Sequence, residues 1–245
     1  MKSRGSVFLI VIVLFGIITR SRAQDRDSTA LRLWYDLIFM HTVNSDFRYI
    51  IHANFKHLTD GEWKQTVLRT AFIYTMRDEL YLQGGINTSF VNEEGIHIYE
   101  IRPWQGLNVF FPRIGQVYIN NFIRLEERFF VFENAEDRST SIRGRYALTT
   151  YIPINHRQII EKTLYIWPYF ETFIPIYDRG FNPDINRFRF SLGLGYRFDK
   201  HIRSEVSYMF EKSKVEDHHA FSENSSTIRI TLRYLLNNGQ KVRGL

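Results

Sequence analysis

The stretch RFRFSLGLGYRF, residues 187–198, alternates apolar and non-apolar side chains without a break. Successive side chains of a β-strand point to opposite faces, so a strand here has one apolar face and one arginine-rich face. The apolar face carries Phe188, Phe190, Leu192, Leu194, Tyr196 and Phe198, and the other face carries Arg187, Arg189, Ser191, Gly193, Gly195 and Arg197. A soluble β-sandwich also alternates, but its strands usually have about 5–6 residues. The length of this stretch favours a different kind of sheet.

The same alternation recurs along the rest of the chain, in segments separated by residues typical of turns. The predicted strands are 30–41, 46–57, 64–76, 79–90, 96–109, 117–131, 140–152, 162–174, 186–198, 201–211 and 225–236. The connections in the last third of the chain alternate in length. Working back from the C-terminus, the connection 215–224 is long, FDKH (198–201) is short, and the connection 177–185 is long. Long loops that alternate with tight turns are typical of outer-membrane β-barrels. The connection PINHRQ breaks this rhythm, because it is longer than a tight turn.

The first 23 residues have the pattern of a secretory signal peptide. Lys2 and Arg4 precede a continuous apolar run over residues 7–18, and the segment ends in small residues at Ala23. That run is too short to cross a bilayer, which takes about 20 residues. We therefore expect residues 1–23 to be removed and residues 24–245 to form one β-barrel domain, exported to the bacterial outer membrane.

Composition agrees with such a barrel. The formal net charge of +6 falls to +2 without the signal peptide, which argues against a nucleic-acid partner. The chain has no cysteine, and aromatic residues make up 16% of it. Aromatic girdles at both membrane interfaces account for such an excess.

The sequence therefore predicts an all-β fold, an antiparallel transmembrane β-barrel of about 12 strands, with 10–12 possible. The number 12 is favoured over the eleven segments found because single-chain bacterial barrels usually have an even count.

In a barrel the charged face must point inward, because arginine at the lipid midplane costs about 2–4 kcal/mol. The predicted lumen-lining charges are Arg69, Glu100, Arg102, Arg124, Glu126, Arg128, Arg143, Arg145, Glu171, Arg187, Arg189, Arg197, Arg203, Glu205, Glu211, Arg229 and Arg233. Glu127 falls on the apolar face of its segment, together with Leu125 and Phe129, and is therefore expected near a membrane interface. Two interpretations of the lumen remain open. In the first, the charged side chains pair across neighbouring strands and fill the lumen. In the second, the lumen is open and its excess of arginine favours the passage of anions.

Two short motifs carry a resemblance to a known family. They are YEIRPWQGL (99–107), with Glu100, Arg102, Pro103, Trp104 and Gln105, and FIRLEERFF (122–130), with Arg124, Glu126, Arg128 and Phe129. Together they resemble domain of unknown function family 2490, predicted Gram-negative outer-membrane proteins, over most of residues 30–236. The resemblance implies a signal peptide and an outer-membrane barrel, and it implies no substrate. In size and in its arginine-rich lumen the chain also looks like small monomeric porins for acidic oligosaccharides, an analogy of architecture only.

Enzyme signatures are weak. The chain has no G-x-S-x-G motif, and His52, His57, His97 and His201 are expected to be solvated surface residues. No metal, cofactor or catalytic residue is predicted, including at DHHAF, residues 217–221.

The leading function is a small porin-like channel for small, perhaps anionic, solutes. The alternatives are a non-conducting structural or interaction barrel with an ion-paired lumen and, third, a lipid-modifying enzyme at the barrel rim. The expected partners are outer-membrane lipid and small solutes, and a monomer is favoured.

Overall fold

A computed structural model describes residues 30–93, 95–133, 138–179, 187–214 and 221–237. Within them the chain forms eleven β-strands in one closed barrel. The strands are β1 (Ala30–Thr42), β2 (Phe47–Leu58), β3 (Lys64–Arg77), β4 (Leu80–Glu93), β5 (Ile96–Ile114), β6 (Val117–Phe132), β7 (Arg138–Pro153), β8 (Thr163–Arg179), β9 (Arg187–Arg197), β10 (Ile202–Lys214) and β11 (Phe221–Asn237). The predicted all-β barrel is therefore confirmed as a fold.

Neighbouring strands along the chain are antiparallel, and β1 closes the barrel by pairing with β11. That last pairing is parallel and runs from Ala30 opposite Ser225 to Thr42 opposite Asn237. We call it the parallel seam. It follows from the odd number of strands, since β1 and β11 then run in the same direction. The expectation of an even count near twelve is thus corrected to eleven.

The barrel has two different ends. At the end where β1 finishes, which we call the turn end, four of the five connections have four residues or fewer. The exception is the connection 154–162 between β7 and β8. At the opposite end, the loop end, the connections are 59–63, 94–95, 133–137, 180–186 and 215–220. The predicted alternation of long and short connections therefore corresponds to the two ends of the barrel, apart from 154–162 and the two-residue connection 94–95.

The strands form where the alternation predicts them. Ten of the eleven begin within two residues of the predicted position, and β11 begins four residues earlier. Proline does not stop β5, which continues through Pro103 and Pro112 to Ile114. Because proline has no N–H to donate to a neighbouring strand, the pairing of β5 with β6 is interrupted at Pro103. The register also shifts between Phe111 and Ile114, around Pro112.

The two faces of the sheet differ as the alternation requires. In β9, Phe190 and Leu192 are 52% and 48% exposed on the outer face, whereas Ser191 between them is buried. Every strand except β7 places a large hydrophobic side chain in an exposed position. Glu127 is exposed among them, toward the loop end of β6. The outer surface is therefore apolar over most of the circumference, and most of the charged side chains of the strands point inward.

Two predictions concern residues outside this description. The signal peptide, residues 1–23, and most of the DHHAF segment both lie beyond the described ranges. Within those ranges there is no helix with the length and apolar character needed to cross a membrane.

Candidate functional site

The interior of the barrel contains a cavity of about 780 Å³. The charged side chains that line it come from most of the strands and are strongly biased toward positive charge. In the described part of the chain they include twelve cations, namely Arg32, Lys56, Arg69, Arg102, Arg124, Arg128, Arg143, Arg145, Arg187, Arg189, Arg229 and Arg233. The lining carboxylates are Asp36, Glu93, Glu100 and Glu171. Even with the buried Glu126, Glu205 and Glu211, the interior therefore has an excess of positive charge.

Glu126 on β6 is the centre of the largest ion-pair cluster. Its side chain is fully buried. Arg124 and Arg145 lie 2.5 and 2.8 Å from its Oε1 atom, and Arg143 Nε donates to its Oε2 atom at 2.6 Å. Arg102 Nη1 lies 3.7 Å from the same Oε2 atom. One carboxylate thus holds four guanidinium groups from three adjacent strands, β5, β6 and β7.

Similar pairs extend from Glu126 around the wall in both directions. On one side, Glu100 accepts hydrogen bonds from Arg102 and, at 2.6 Å, from Arg128 Nε. On the other side, Glu171 pairs with Arg145 and Arg189. These contacts join neighbouring strands rather than opposite walls. They therefore stiffen the wall and leave space in the middle of the lumen.

The series of ion pairs along the wall continues through Glu211 on β10 to β1. Glu211 pairs with Arg189, with Arg187 at 3.3 Å and with Arg32 at 3.0 Å. Because Arg32 belongs to β1, this pair crosses the parallel seam and adds side-chain contacts to it.

Asp36 on β1 forms a second buried polar group beside the seam. It pairs with Arg229 on β11, and Thr231 Oγ1 donates to it at 3.3 Å. From the other side, Asn54 Nδ2 donates at 2.7 Å and His52 Nε2 lies 2.5 Å away. The expectation that His52 is a solvated surface residue is therefore wrong. The alternation of Asp36 with Leu37 and of His52 with Ile51 could have shown this earlier.

Buried aromatic side chains pack together inside the barrel toward the turn end. Tyr165 is fully buried, and it packs with Trp167 and with Ile159 from the connection 154–162. Tyr165 Oη donates to Glu205 at 2.7 Å, and Arg197 Nη1 donates to the carbonyl oxygen of Ile159 at 2.8 Å. We call Ile159, Tyr165 and Trp167 the turn-end seal. The long connection that broke the predicted rhythm is therefore part of the barrel interior.

Glycines on β9 make room for this seal. Gly193 lies opposite Trp167, and Gly195 lies opposite Tyr165. A Cβ atom on Gly195 would come within 2.3 Å of the Tyr165 ring, and one on Gly193 within 2.2 Å of Trp167. Only residues without a side chain let both aromatic rings lie flat across β9. The inward face of residues 187–198 thus has arginines at both ends, with Ser191 and two glycines between them.

The predicted lumen-lining residues fall into three groups. Those that line the cavity are Arg69, Glu100, Arg102, Arg124, Arg128, Arg143, Arg145, Glu171, Arg187, Arg189, Arg229 and Arg233. Glu126 and Glu211 are buried behind arginines. Arg197, Arg203 and Glu205 lie toward the turn end, beyond the cavity lining. Sequence reasoning missed Arg32, Trp34, Asp36, His52 and Lys56, although all five alternate with apolar residues in β1 and β2.

A family model described as "Protein of unknown function (DUF2490)" matches residues 31–238. The chain belongs to this family. The match covers every strand of the DUF2490 barrel nearly from end to end and confirms the resemblance carried by the two motifs. No curated protein matches the chain. Both motifs contribute to the ion-pair cluster, because Glu100 and Arg102 come from the first and Arg124, Glu126 and Arg128 from the second.

Proposed function

We propose that the protein is an outer-membrane β-barrel of a Gram-negative bacterium. The support is its outer surface, where Leu37, Phe72, Ile123, Ile174 and Val206 are each at least half exposed on five different strands. Soluble monomeric proteins rarely expose contiguous apolar patches larger than a few hundred Å². Lipid would cover this surface, so the proposed partners are membrane lipid and no second subunit. Export would use the segment 1–23, and the mature N-terminus would then be Gln24.

We further propose a porin-like role, in which the lumen admits small anions. One observation carries this proposal: the cavity lining has twelve cations against four carboxylates among the described residues. An excess of fixed positive charge in a narrow, low-dielectric space raises the local concentration of anions and repels cations. We propose no catalytic activity and no cofactor.

The test is the reversal potential of purified protein in a planar bilayer across a potassium chloride gradient. We expect anion selectivity, which should weaken at high salt because salt screens the lumen charges. Arg69→Glu should reduce or reverse the selectivity, because Arg69 lines the cavity. Lys64→Glu is the matched control, since Lys64 is exposed on the same strand. Equal selectivity in both variants, or cation selectivity in the wild type, would reject an anion pore.

The turn-end seal favours a second candidate, a non-conducting barrel with structural or interaction roles. Tyr165 and Trp167 are both buried toward the turn end, where Trp167 also lines the cavity, so their rings narrow the lumen on that side. A protein that shows heat-modifiable migration on a gel but no conductance would support this candidate over the pore.

A further inference from the structure

Arg69 on β3 differs from the other arginines that line the cavity. Each of those pairs with a carboxylate, whereas Arg69 has no carboxylate within ion-pair distance among the described residues. Its Nε atom donates to the neutral side chain of Asn87 at 3.0 Å, and its two Nη groups stay accessible from the cavity, with no hydrogen-bond partner in the same ranges of the chain. Because arginine stays protonated in proteins, Arg69 keeps its positive charge there.

The neighbours of Arg69 place it beside the largest ion-pair cluster. The pairing register sets Arg69 opposite Asn87 and Asn87 opposite Arg102, so these side chains lie at one level of three adjacent strands. Arg102 Nη1 and Arg145 Nη1 both contact the carboxylate of Glu126, at 3.7 and 2.8 Å. Arg145 and Glu126 are also the charged groups that act most strongly on Arg69, followed by Arg102. The three guanidinium groups therefore surround one small region of the lumen.

Positive charge exceeds negative charge in this region. The three carboxylates here, Glu100, Glu126 and Glu171, are shared among six arginines. Arg69 adds a seventh guanidinium group without adding a carboxylate. Repulsion among these like charges decreases when an anion enters, and water or a neutral solute cannot supply that compensation. The region is therefore electrostatically suited to an anion from outside the chain.

We propose that Arg69, flanked by Arg102 and Arg145, binds an oxyanion such as phosphate or a carboxylate. The planar guanidinium fork matches two oxygens of one oxyanion, and the Nη groups of Arg69 supply that fork. Arg102 and Arg145 keep their carboxylate partners and contribute positive charge. The inference rests on the proposed access of anions to the lumen. It adds a saturable site to what would otherwise be a diffuse positive potential.

The test is isothermal titration of the full-length protein in detergent with inorganic phosphate at pH 8, with succinate and chloride as separate arms. We expect saturable phosphate binding that Arg69→Gln weakens about tenfold or more, because charge-assisted hydrogen bonds are lost. Lys64→Gln is the control and should bind as the wild type does, since Lys64 is exposed on the same strand. Chloride cannot occupy both arms of the fork and should bind more weakly than phosphate. Tighter binding of succinate than of phosphate would assign the site to carboxylates.

Two further variants separate a built site from a diffuse charge and protect the test against misfolding. Arg69→Lys keeps the charge but removes the fork, so phosphate binding should still fall about threefold to tenfold. Asn87→Asp keeps the size of the side chain and the oxygen that accepts from Arg69 and Trp104. It also gives Arg69 a carboxylate partner within the chain, so phosphate binding should fall about as far as in Arg69→Gln.

The outcomes that would overturn the site are specific. They are equal phosphate affinity in Arg69→Gln and Lys64→Gln, equal affinity in Arg69→Lys and the wild type, or no saturable binding by the wild type. Phosphate should also raise the urea midpoint of the wild type more than that of Arg69→Gln. A wild type that binds phosphate but does not conduct would reject the channel and keep the site. Anion conductance without saturable binding would reject the site and keep the channel.

Discussion

Replacing Glu126 with glutamine is expected to lower the free energy of unfolding by about 3–5 kcal/mol. Glutamine has the same size, so packing changes little. However, the change removes the carboxylate that Arg124 and Arg143 both contact. It also places an amide NH₂ against an arginine donor. Breaking a buried ion pair by removing one partner leaves charge without compensation in a low dielectric, which is why the expected loss is large.

The measurement is a urea titration of purified protein in lipid vesicles, followed by tryptophan fluorescence. Trp104 is a suitable reporter, because the Arg124 guanidinium lies 4.8 Å from the centre of its ring. Glu127→Gln is a matched control, since Glu127 is the next residue along β6 and is exposed. A change there should stay within about 0.5 kcal/mol. If both variants lose the same stability, the interior cluster does not hold the wall together.

A double variant isolates the interaction energy between Glu126 and Arg143. Glu126→Gln combined with Arg143→Gln removes both members of the pair at 2.6 Å. We expect the two losses to be less than additive, with a coupling of about 0.5–3 kcal/mol. Strict additivity would refute a direct interaction between these side chains.

Three other predictions test the outer face, the seal and a turn. Leu192→Arg should destabilise the barrel in lipid by about 2–4 kcal/mol, while Leu192→Met should change the urea midpoint little. Gly195→Val should cost about 1–3 kcal/mol by displacing Tyr165, and should admit a quencher to the lumen, whereas Gly84→Ala, where a Cβ has space, should do neither. Backbone N–H groups at the start of β10 hold the pKa of Asp199 below its usual value of 3.8. The ionised Asp199 side chain therefore stabilises the fold fully above pH 3.8. This stabilisation is lost as the pH falls through the lower pKa that Asp199 has in the folded state. Asp199→Asn should lessen this acid sensitivity in a pH titration, and an unchanged titration would contradict it.

The strands were predictable because alternation is a local signal. The stretch 187–198 assigns each side chain to a face with no knowledge of its neighbours, and the structure buries Ser191 and exposes Leu192 accordingly. The number of strands was also readable locally, because the eleven alternating segments correspond to the eleven strands, and the preference for twelve came from the even count usual in bacterial barrels. Whether the last strand meets the first in parallel or antiparallel orientation depends on closure of the whole sheet, and no local pattern encodes it.

The candidate site was predictable only in part. Glu126 and its arginines were found because charged residues alternate with apolar ones in long, clear runs. Lys56 and Trp34 lie in β2 and β1, where the inward positions mix aromatic, apolar and charged residues, so the alternation is less evident. That Lys56 lies beside the neutral Gln65 depends on the pairing register of β2 and β3. The turn-end seal likewise needs the register that places Gly195 opposite Tyr165.

The parallel seam has a consequence for circular permutation. In an up-and-down barrel with an even number of strands, the first strand begins and the last strand ends on the same side, so a short linker can join them. Here β1 begins at the loop end and β11 ends at the turn end. A linker between them must travel the length of the thirteen-residue β1, about 43 Å at the rise of an extended chain. A permuted version of this protein therefore needs a linker as long as a strand, where an even-stranded barrel needs only a turn.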